Sequence, residues 1–303
     1  MPTSTRLALG TGLQYHLLEW GAEDPARDHT VILLHGFLDL AYGWVPTVEA
    51  GLGARFHVVA PDLRGHGDSD RIGAGGYYHF FDYLADLDEL IRARGRKRVS
   101  LVGHSMGGSI AAYFTGTFPS RIHKLALLEG LGPPESGDLG PERTATWIES
   151  WRRVRERPQR SYATVEEAAS RLRENDRLLD AALALELAQA GTVRGRGGRF
   201  RFKHDPLHAT LGPYAFQVEA ACRFWKKITC PVLLVEGDRS DFRLAPEDDA
   251  RRRACFPHAA RAVVEGAGHM MQRHQPARLA RLLVDFLSSE SAGPAYDAPV
   301  EVK

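Results

Sequence analysis

Short blocks of continuously apolar residues alternate along the chain with longer stretches in which apolar residues recur every three or four positions. Continuous blocks are typical of parallel strands buried on both faces, and the spaced pattern is typical of amphipathic helices. The strands predicted in this way are 13–20, 31–34, 56–60, 98–102, 125–128, 232–235 and 261–264. The helices predicted between them are 80–94, 105–118, 246–255 and 276–287. The alternation predicts an α/β fold on a mostly parallel, doubly wound sheet.

The alternation stops between about residues 133 and 225. This stretch opens on the helix-breaking sequence Gly132-Pro133-Pro134 and continues with charged helical patterns near 144–157, 164–174 and 177–190. A Gly- and Arg-rich segment then predicts a short exposed hairpin. We interpret residues 134–225 as a helical cap inserted into a core formed by 1–133 and 226–290. The Ser-, Ala- and Pro-rich end, 291–303, is predicted to be a disordered tail.

The predicted strand at 98–102 leads into Gly103-His104-Ser105-Met106-Gly107-Gly108 and then directly into a helix. A serine between glycines at a strand-to-helix turn is the pattern of a nucleophile elbow, in which small residues are needed two positions before and after the serine. At the start of a helix, Ser105 would also lie where the helix dipole favours developing negative charge. We therefore predict Ser105 as a nucleophile.

A serine hydroxyl needs a neighbouring base to react at neutral pH. His269 is our candidate, because it ends a small-residue loop after the strand 261–264. Other histidines fit this role less well. His35, His66 and His104 lie in Gly-flanked turns and are interpreted as loop-shaping, whereas four more are expected at the surface, namely His204, His208, His258 and His274.

An acid must also hold the imidazole in the reactive tautomer. Asp238 and Asp241 both follow the strand 232–235, which would give the chain order serine, acid, histidine. We favour Asp241, since it lies farther past the strand end, where a side chain can turn back towards the site. Glu129 directly follows the strand 125–128 and is the alternative.

Acyl transfer also requires donors for an oxyanion. The N–H of Met106, which follows the nucleophile, is one candidate. The loop after the strand 31–34 reads His35-Gly36-Phe37, and the N–H of Phe37 is the second. The Gly-rich loop from Asp62 to Asp70 is interpreted as scaffold, with Asp62 and Arg64 bonding neighbouring backbone groups.

Taken together, the motifs at 35–37, 62–69, 103–108 and 266–269 resemble the α/β-hydrolase-fold serine hydrolases over about residues 10–132 and 228–288. The resemblance implies Ser105, Asp241 and His269 as the triad and the Phe37 and Met106 amides as oxyanion donors. The chain departs from the family at one place, because Ser240 stands where the acid usually lies. A serine at 105 argues against epoxide hydrolase or dehalogenase chemistry, which needs a carboxylate there.

Within that family the pattern is most similar to serine-hydrolase-like proteins and cofactor-free esterases. We therefore expect a carboxylesterase-like hydrolase that needs no cofactor or metal and acts on a small carbonyl substrate through an acyl-enzyme. C–C bond hydrolysis, perhydrolysis and a ligand-binding role with little turnover are alternatives. The oligomeric state cannot be read from the sequence.

Composition narrows the classes of partner and cellular location that remain possible. The 303 residues carry 39 Lys and Arg against 38 Asp and Glu, a net charge of +1, which does not recommend a nucleic-acid partner. No stretch reaches the length of a membrane span. The three cysteines, Cys222, Cys230 and Cys255, are expected to be reduced and buried, and a cytoplasmic protein is expected.

Overall fold

The computed structural model describes residues 1–135, 140–289 and 300–301 of the chain. Its strands are β1 (Thr3–Ala8), β2 (Gln14–Trp20), β3 (His29–Leu34), β4 (His57–Pro61), β5 (Arg98–His104), β6 (Leu125–Leu128), β7 (Thr192–Arg194), β8 (Phe200–Phe202), β9 (Val232–Gly237), β10 (Ala260–Val264) and β11 (Val300–Glu301). Nine of the strands in these ranges form one sheet, in the order β1-β2-β4-β3-β5-β6-β9-β10-β11. All neighbours from β4 to β11 pair in parallel, whereas β2 pairs antiparallel with both of its neighbours, β1 and β4. The mostly parallel sheet is thus confirmed.

The helices flank this sheet or lie within the cap range. They are α1 (Val45–Thr47), α2 (Gly53–Arg55), α3 (Phe80–Arg94), α4 (Met106–Thr117), α5 (Pro141–Glu156), α6 (Val165–Asn175), α7 (Ala181–Gly191), α8 (Val218–Trp225), α9 (Pro246–Arg253), α10 (Met271–His274) and α11 (Pro276–Ser288). Shorter 3₁₀ turns cover Ala41–Trp44, Pro119–Arg121 and Pro206–Ala209, and a π-helical turn covers Val48–Leu52. None of the helices in the described ranges is long and apolar enough to cross a membrane.

Both faces of the sheet are covered, as the continuous apolar strands predict. Along β3, Ile32 and Leu34 pack on one side with α3, α4 and α8, while Val31 and Leu33 pack on the other with α11. All six residues of β3 are buried. This two-sided burial explains why the central strands read as apolar blocks rather than as an alternation. Because β3, β5, β6, β9 and β10 pair in parallel, their carboxyl ends meet at one edge of the sheet.

The segment between β6 and β9, which includes the range interpreted as the cap, contains helices α5 to α8 and the hairpin β7–β8. α6, α7 and the hairpin β7–β8 share a small core of their own that includes Tyr162, Ala168 and Leu187. The last helix of the predicted cap range behaves differently. α8 packs on α4, and its residues Ala221 and Trp225 belong to the core beside the sheet. The predicted tail falls almost entirely outside the described residues, apart from β11, which pairs with β10.

The prediction of reduced cysteines is wrong for two of the three. Cys222 in α8 and Cys255, just after α9, form a disulfide across 33 positions of sequence. Cys230 remains a free thiol. The pairing joins two helices that meet only in the folded chain, and sequence spacing alone carries no sign of it. Disulfides persist mainly in oxidising compartments, so the cysteines no longer support a cytoplasmic location.

Candidate active site

Ser105 occupies a sharp turn between β5 and α4. Its φ of 51° lies in the left-handed region, which a residue with a side chain seldom adopts. The turn is possible because its neighbours are small: a Cβ on Gly103 would collide with the backbone of Gly107 and Gly108, and one on Gly107 with the backbone of Leu34. The Ser105 amide donates to the Leu128 carbonyl at 2.9 Å, which ties the turn to β6. This is the geometry that the glycine spacing predicts.

His269 lies beside this turn, in the loop after β10. His104, which immediately precedes Ser105, donates from Nε2 to the His269 carbonyl at 2.8 Å, and the two rings are 4.6 Å apart between centroids. Phe242 flanks the His269 ring on another side, with a centroid distance of 4.8 Å. Burial lowers the pKa of His104 well below 6.5, so that ring remains a neutral structural donor. The loop-shaping interpretation of His104 therefore agrees with the structure.

The acid that contacts His269 is Glu129. Its Oε2 accepts a hydrogen bond from His269 Nδ1 at 2.6 Å, and the glutamate side chain is only 3% exposed. The structure does not bring Asp241, the acid that we favoured, against His269, because Asp241 is exposed and makes no hydrogen bond to the ring. Asp238 instead accepts from the Ala267 N–H at 3.1 Å and supports the loop. Of the three candidate acids, only Glu129 is brought against the imidazole.

The local backbone explains how a residue directly after a strand reaches the histidine. Glu129 has a φ of 45°, so the chain turns at the end of β6 and the longer glutamate side chain spans the gap. Its carboxylate also accepts from the Gly237 N–H at 3.0 Å and from Ser240 Oγ at 2.7 Å. Burial alone would raise the pKa of Glu129, but the hydrogen bonds from His269, Gly237 and Ser240 outweigh it and hold the pKa below 4.5. The carboxylate is thus kept ionised.

Ser240 gives this arrangement its most informative detail. It stands at the position where the family resemblance puts the acid, and in this chain its hydroxyl donates to the acid that comes from the neighbouring strand. Ser240 is itself buried and also accepts from the Phe242 N–H at 3.1 Å. A hydroxyl at the usual acid position was the sequence signal that pointed away from β9 and towards Glu129.

The Glu129 contact assigns the tautomer of His269. A proton on Nδ1 is needed to donate to a carboxylate, which leaves the lone pair on Nε2. Within the described ranges Nε2 makes no hydrogen bond, and 29% of the side chain is exposed. The ring therefore presents a free basic nitrogen towards the open side of the site.

The two predicted oxyanion donors lie around the same turn. Met106 begins α4, so its N–H has no acceptor within the helix. On the facing loop, His35 Nδ1 donates to the Gly36 carbonyl at 2.7 Å, which fixes the peptide plane that carries the Phe37 N–H. A Cβ on Gly36 would press against the His104 ring and lie 3.3 Å from the Cβ of Ser105. The loop thus passes directly over the nucleophile turn.

The loop from Asp62 to Asp70 is scaffold, as its sequence suggested. Buried Asp62 accepts from the Ala41 N–H at 2.7 Å and the Asp68 N–H at 2.8 Å. Arg64 binds both carboxylate oxygens of Asp86, at 2.6 and 2.7 Å. These contacts engage both side chains in fixing the loop.

Two of the histidines expected at the surface have buried side chains in the same region, so that expectation is wrong for them. His274, which we expected at the surface, is 3% exposed and contacts both carboxylate oxygens of Asp176 at 2.8 and 2.9 Å. Its Nδ1 accepts from the Gly268 N–H at 3.0 Å, next to His269. His208 is also buried, stacked 4.1 Å from the ring of His66. The pairing of Asp176 with His274 joins the cap to the core, and no local pattern marks it.

A cavity of about 980 Å³ opens over His269 between the cap and the core. Phe37, Phe242 and His269 line its core side, and α6, α7 and their connecting loop line its cap side. Cavities of this size accommodate organic ligands. The arrangement can therefore bring a small molecule to the exposed nitrogen of His269.

Comparison with known proteins identifies the family to which this fold belongs. The family model of the alpha/beta hydrolase fold matches residues 29–273. A serine hydrolase-like protein of Danio rerio is 28% identical over 90% of this chain and 84% of its own length. The AB hydrolase superfamily protein YfhM of Bacillus subtilis (strain 168) is 26% identical over 92% of this chain and 96% of its own.

Among solved structures, the thioesterase domain from the curacin biosynthetic pathway superposes with a TM-score of 0.81 and 28% identity, covering 94% of this chain and 99% of that one. The family match extends over most of the chain, and its range includes the nucleophile turn and His269. The chain belongs to the α/β-hydrolase fold family.

Proposed function

We propose that this protein is a serine hydrolase that cleaves carboxylic esters or thioesters through an acyl-enzyme formed on Ser105. The observation that carries the proposal is the bond from His269 Nδ1 to Glu129, since it leaves Nε2 as a free base beside the nucleophile turn. Serine, histidine and acid have separate roles in this chemistry, and a site that only binds a ligand has no need of all three.

In the first half of the reaction, Ser105 Oγ attacks the substrate carbonyl carbon while His269 Nε2 takes the hydroxyl proton. The buried Glu129 carboxylate stabilises the imidazolium that forms. The carbonyl oxygen becomes an oxyanion and receives hydrogen bonds from the N–H groups of Phe37 and Met106. When the tetrahedral intermediate collapses, the C–O or C–S bond breaks and His269 returns its proton to the leaving alcohol or thiol.

The second half repeats these steps with water. His269 Nε2 takes a proton from a water molecule, whose oxygen attacks the acyl carbon. Collapse of this second intermediate releases the carboxylic acid and returns the proton to Ser105 Oγ. The cavity between cap and core supplies the volume for the acyl and leaving groups.

Replacing the nucleophile tests the proposal most directly. We expect Ser105→Ala to lower the turnover of p-nitrophenyl esters by about 10⁴- to 10⁶-fold, because the acyl-enzyme can no longer form. The same variant should not react with a fluorophosphonate probe. Ser109→Ala is the matched control, since Ser109 lies one turn further along α4 and its hydroxyl points to the Gly130 carbonyl. Activity of Ser105→Ala within tenfold of the wild type would refute the proposal.

A further inference from the structure

The wall of the active-site cavity carries more positively than negatively charged side chains. Most of them are engaged: Arg273 with Asp39 and Arg171 with Glu174 form ion pairs on the wall, Lys203 pairs with Asp68, and the Asp176 carboxylate is hydrogen-bonded by His274. Four other lining groups form no ion pair among the described residues, and these are Arg160, Arg177, Arg239 and Asp241. The wall therefore carries an excess of positive charge, although the whole chain is nearly neutral.

Arg239 is fixed close to the catalytic histidine by its backbone. Its N–H donates to the Ala267 carbonyl at 2.9 Å, two positions before His269. Arg239 lies two positions after Gly237, whose N–H donates to the Glu129 carboxylate. The Arg239 side chain is exposed and lines the cavity, so its guanidinium is open to a ligand.

Arg177 approaches the same histidine from the cap. It follows Asp176, whose carboxylate is held by His274, and it precedes Leu178. Leu178 packs on Gly268, where an added Cβ would lie 3.1 Å from Leu178 Cδ1. Arg177 is thus anchored on both sides to the His269 loop, and its own side chain is exposed on the cavity wall.

From this placement we propose that Arg177 and Arg239 form an anion-binding site that selects ester or thioester substrates carrying a carboxylate or phosphate. One guanidinium comes from the cap and one from the core, on elements fixed to either side of His269. Planar guanidinium groups bind carboxylate and phosphate oxygens through paired N–H donors. The proposal rests on the hydrolase activity proposed above and adds the charge of its substrate.

A matched set of substrates tests the charge preference. Mono-4-nitrophenyl glutarate carries a free carboxylate, its methyl ester is neutral, and 4-nitrophenyl 4-phosphonobutanoate carries a phosphonate in place of the carboxylate. For the wild type we expect kcat/KM at low salt to be about tenfold higher for at least one anionic ester than for the methyl ester, as two exposed charge-assisted contacts would give. The two anionic arms show whether carboxylate or phosphate chemistry fits.

Arginine variants test whether Arg177 and Arg239 cause the preference for anionic esters. Arg177→Gln with Arg239→Gln should bring the ratio of kcat/KM for anionic over neutral ester close to one. Arg281→Gln, which removes an exposed arginine of α11 away from the cavity, should keep the wild-type ratio. Added salt should shrink the wild-type ratio and leave that of the double variant unchanged.

The outcomes separate the two proposals. Hydrolysis of all three esters without a charge preference, or a preference that the double variant retains, would overturn the anion site alone. If no ester were hydrolysed and Ser105 failed to react with a fluorophosphonate, the proposed hydrolase activity itself would fall, and the anion site with it.

Discussion

Two histidines that lie five residues apart after β10, His269 in the loop and His274 at the end of α10, each contact a carboxylate, and they differ in what the second ring nitrogen does. His269 bonds Glu129 through Nδ1 and leaves Nε2 open at the cavity. His274 bonds Asp176 through Nε2 and the Gly268 N–H through Nδ1, so both nitrogens are engaged. The first pair has the form of a base and its orienting acid, and the second has the form of a structural brace. A histidine beside an acid is therefore a candidate base only if its other nitrogen is free.

The largest contrast is expected when the two histidines are replaced in parallel. His269→Gln should lower kcat/KM for p-nitrophenyl esters by about 10⁴-fold or more, because the base is removed. His274→Gln should lower it by no more than about tenfold, through a small displacement of the His269 loop. Equal losses in the two variants, in samples with matching circular dichroism, would remove the distinction between base and brace.

The next largest effect concerns the acid of the reactive pair. Glu129→Gln should reduce kcat by about 10²- to 10⁴-fold, since an amide can no longer hold the Nδ1–H tautomer or stabilise the imidazolium. Glu129→Ala should lose at least as much. Adding Ser240→Asp to Glu129→Ala should recover tenfold or more, because Ser240 Oγ lies 2.7 Å from the present carboxylate.

Asp241→Asn is the control for these carboxylate variants, and it should change the turnover of a neutral ester little. A large loss in Asp241→Asn with none in Glu129→Gln would mean that the exposed aspartate moves in to serve as the acid during turnover. Steady-state kinetics with one neutral ester measures all four variants.

The Asp176–His274 pair should affect the stability of the fold more than the rate of hydrolysis. Asp176→Asn weakens a buried charge-assisted contact between cap and core, and we expect a loss of about 1–2 kcal/mol in the free energy of unfolding. Urea denaturation followed by tryptophan fluorescence measures this change. If Asp176→Asn instead reduced fluorophosphonate labelling of Ser105 as strongly as Glu129→Gln, the Asp176 pair would belong to the reactive machinery.

The smallest effect is a pH dependence of stability. Because the pKa of Glu129 is lowered in the folded protein, its carboxylate stabilises the fold fully above the ordinary value of 4.5, and this contribution is lost as the pH falls through the lower folded value. The difference in unfolding free energy between wild type and Glu129→Gln should therefore shrink as the pH falls below about 4.5. A difference that grows on acidification would contradict the assigned hydrogen bonds.

The sequence predicted the sheet and the nucleophile turn because both leave strong local patterns. Central strands buried on both faces must be apolar throughout, and the turn at Ser105 needs glycine at 103 and 107 to avoid backbone collisions. β1 was missed since its residues are largely exposed at the sheet edge, where they follow no apolar pattern.

Contacts between segments that are distant along the chain leave weaker signals in the sequence than these local patterns do. Three carboxylates followed strand ends, and the left-handed turn at Glu129 that decides between them depends on how β6 meets β9. Asp176 and His274 are 98 positions apart and meet only when the cap packs on the core. Cys222 and Cys255 are 33 positions apart and likewise meet only in the folded chain.

The Cys222–Cys255 disulfide has a practical consequence for producing this protein. It fastens α8, the helix that packs on α4 behind the nucleophile, to the end of α9. Closing a loop of that length restricts the unfolded chain by about 3–4 kcal/mol in the chain-entropy treatment, a substantial part of the net stability of a typical domain. Recombinant material made in a reducing host compartment, or purified in dithiothreitol, would lack this restraint. Secretion or oxidative refolding is therefore the route to a preparation whose shelf life and thermal tolerance represent the cross-linked form.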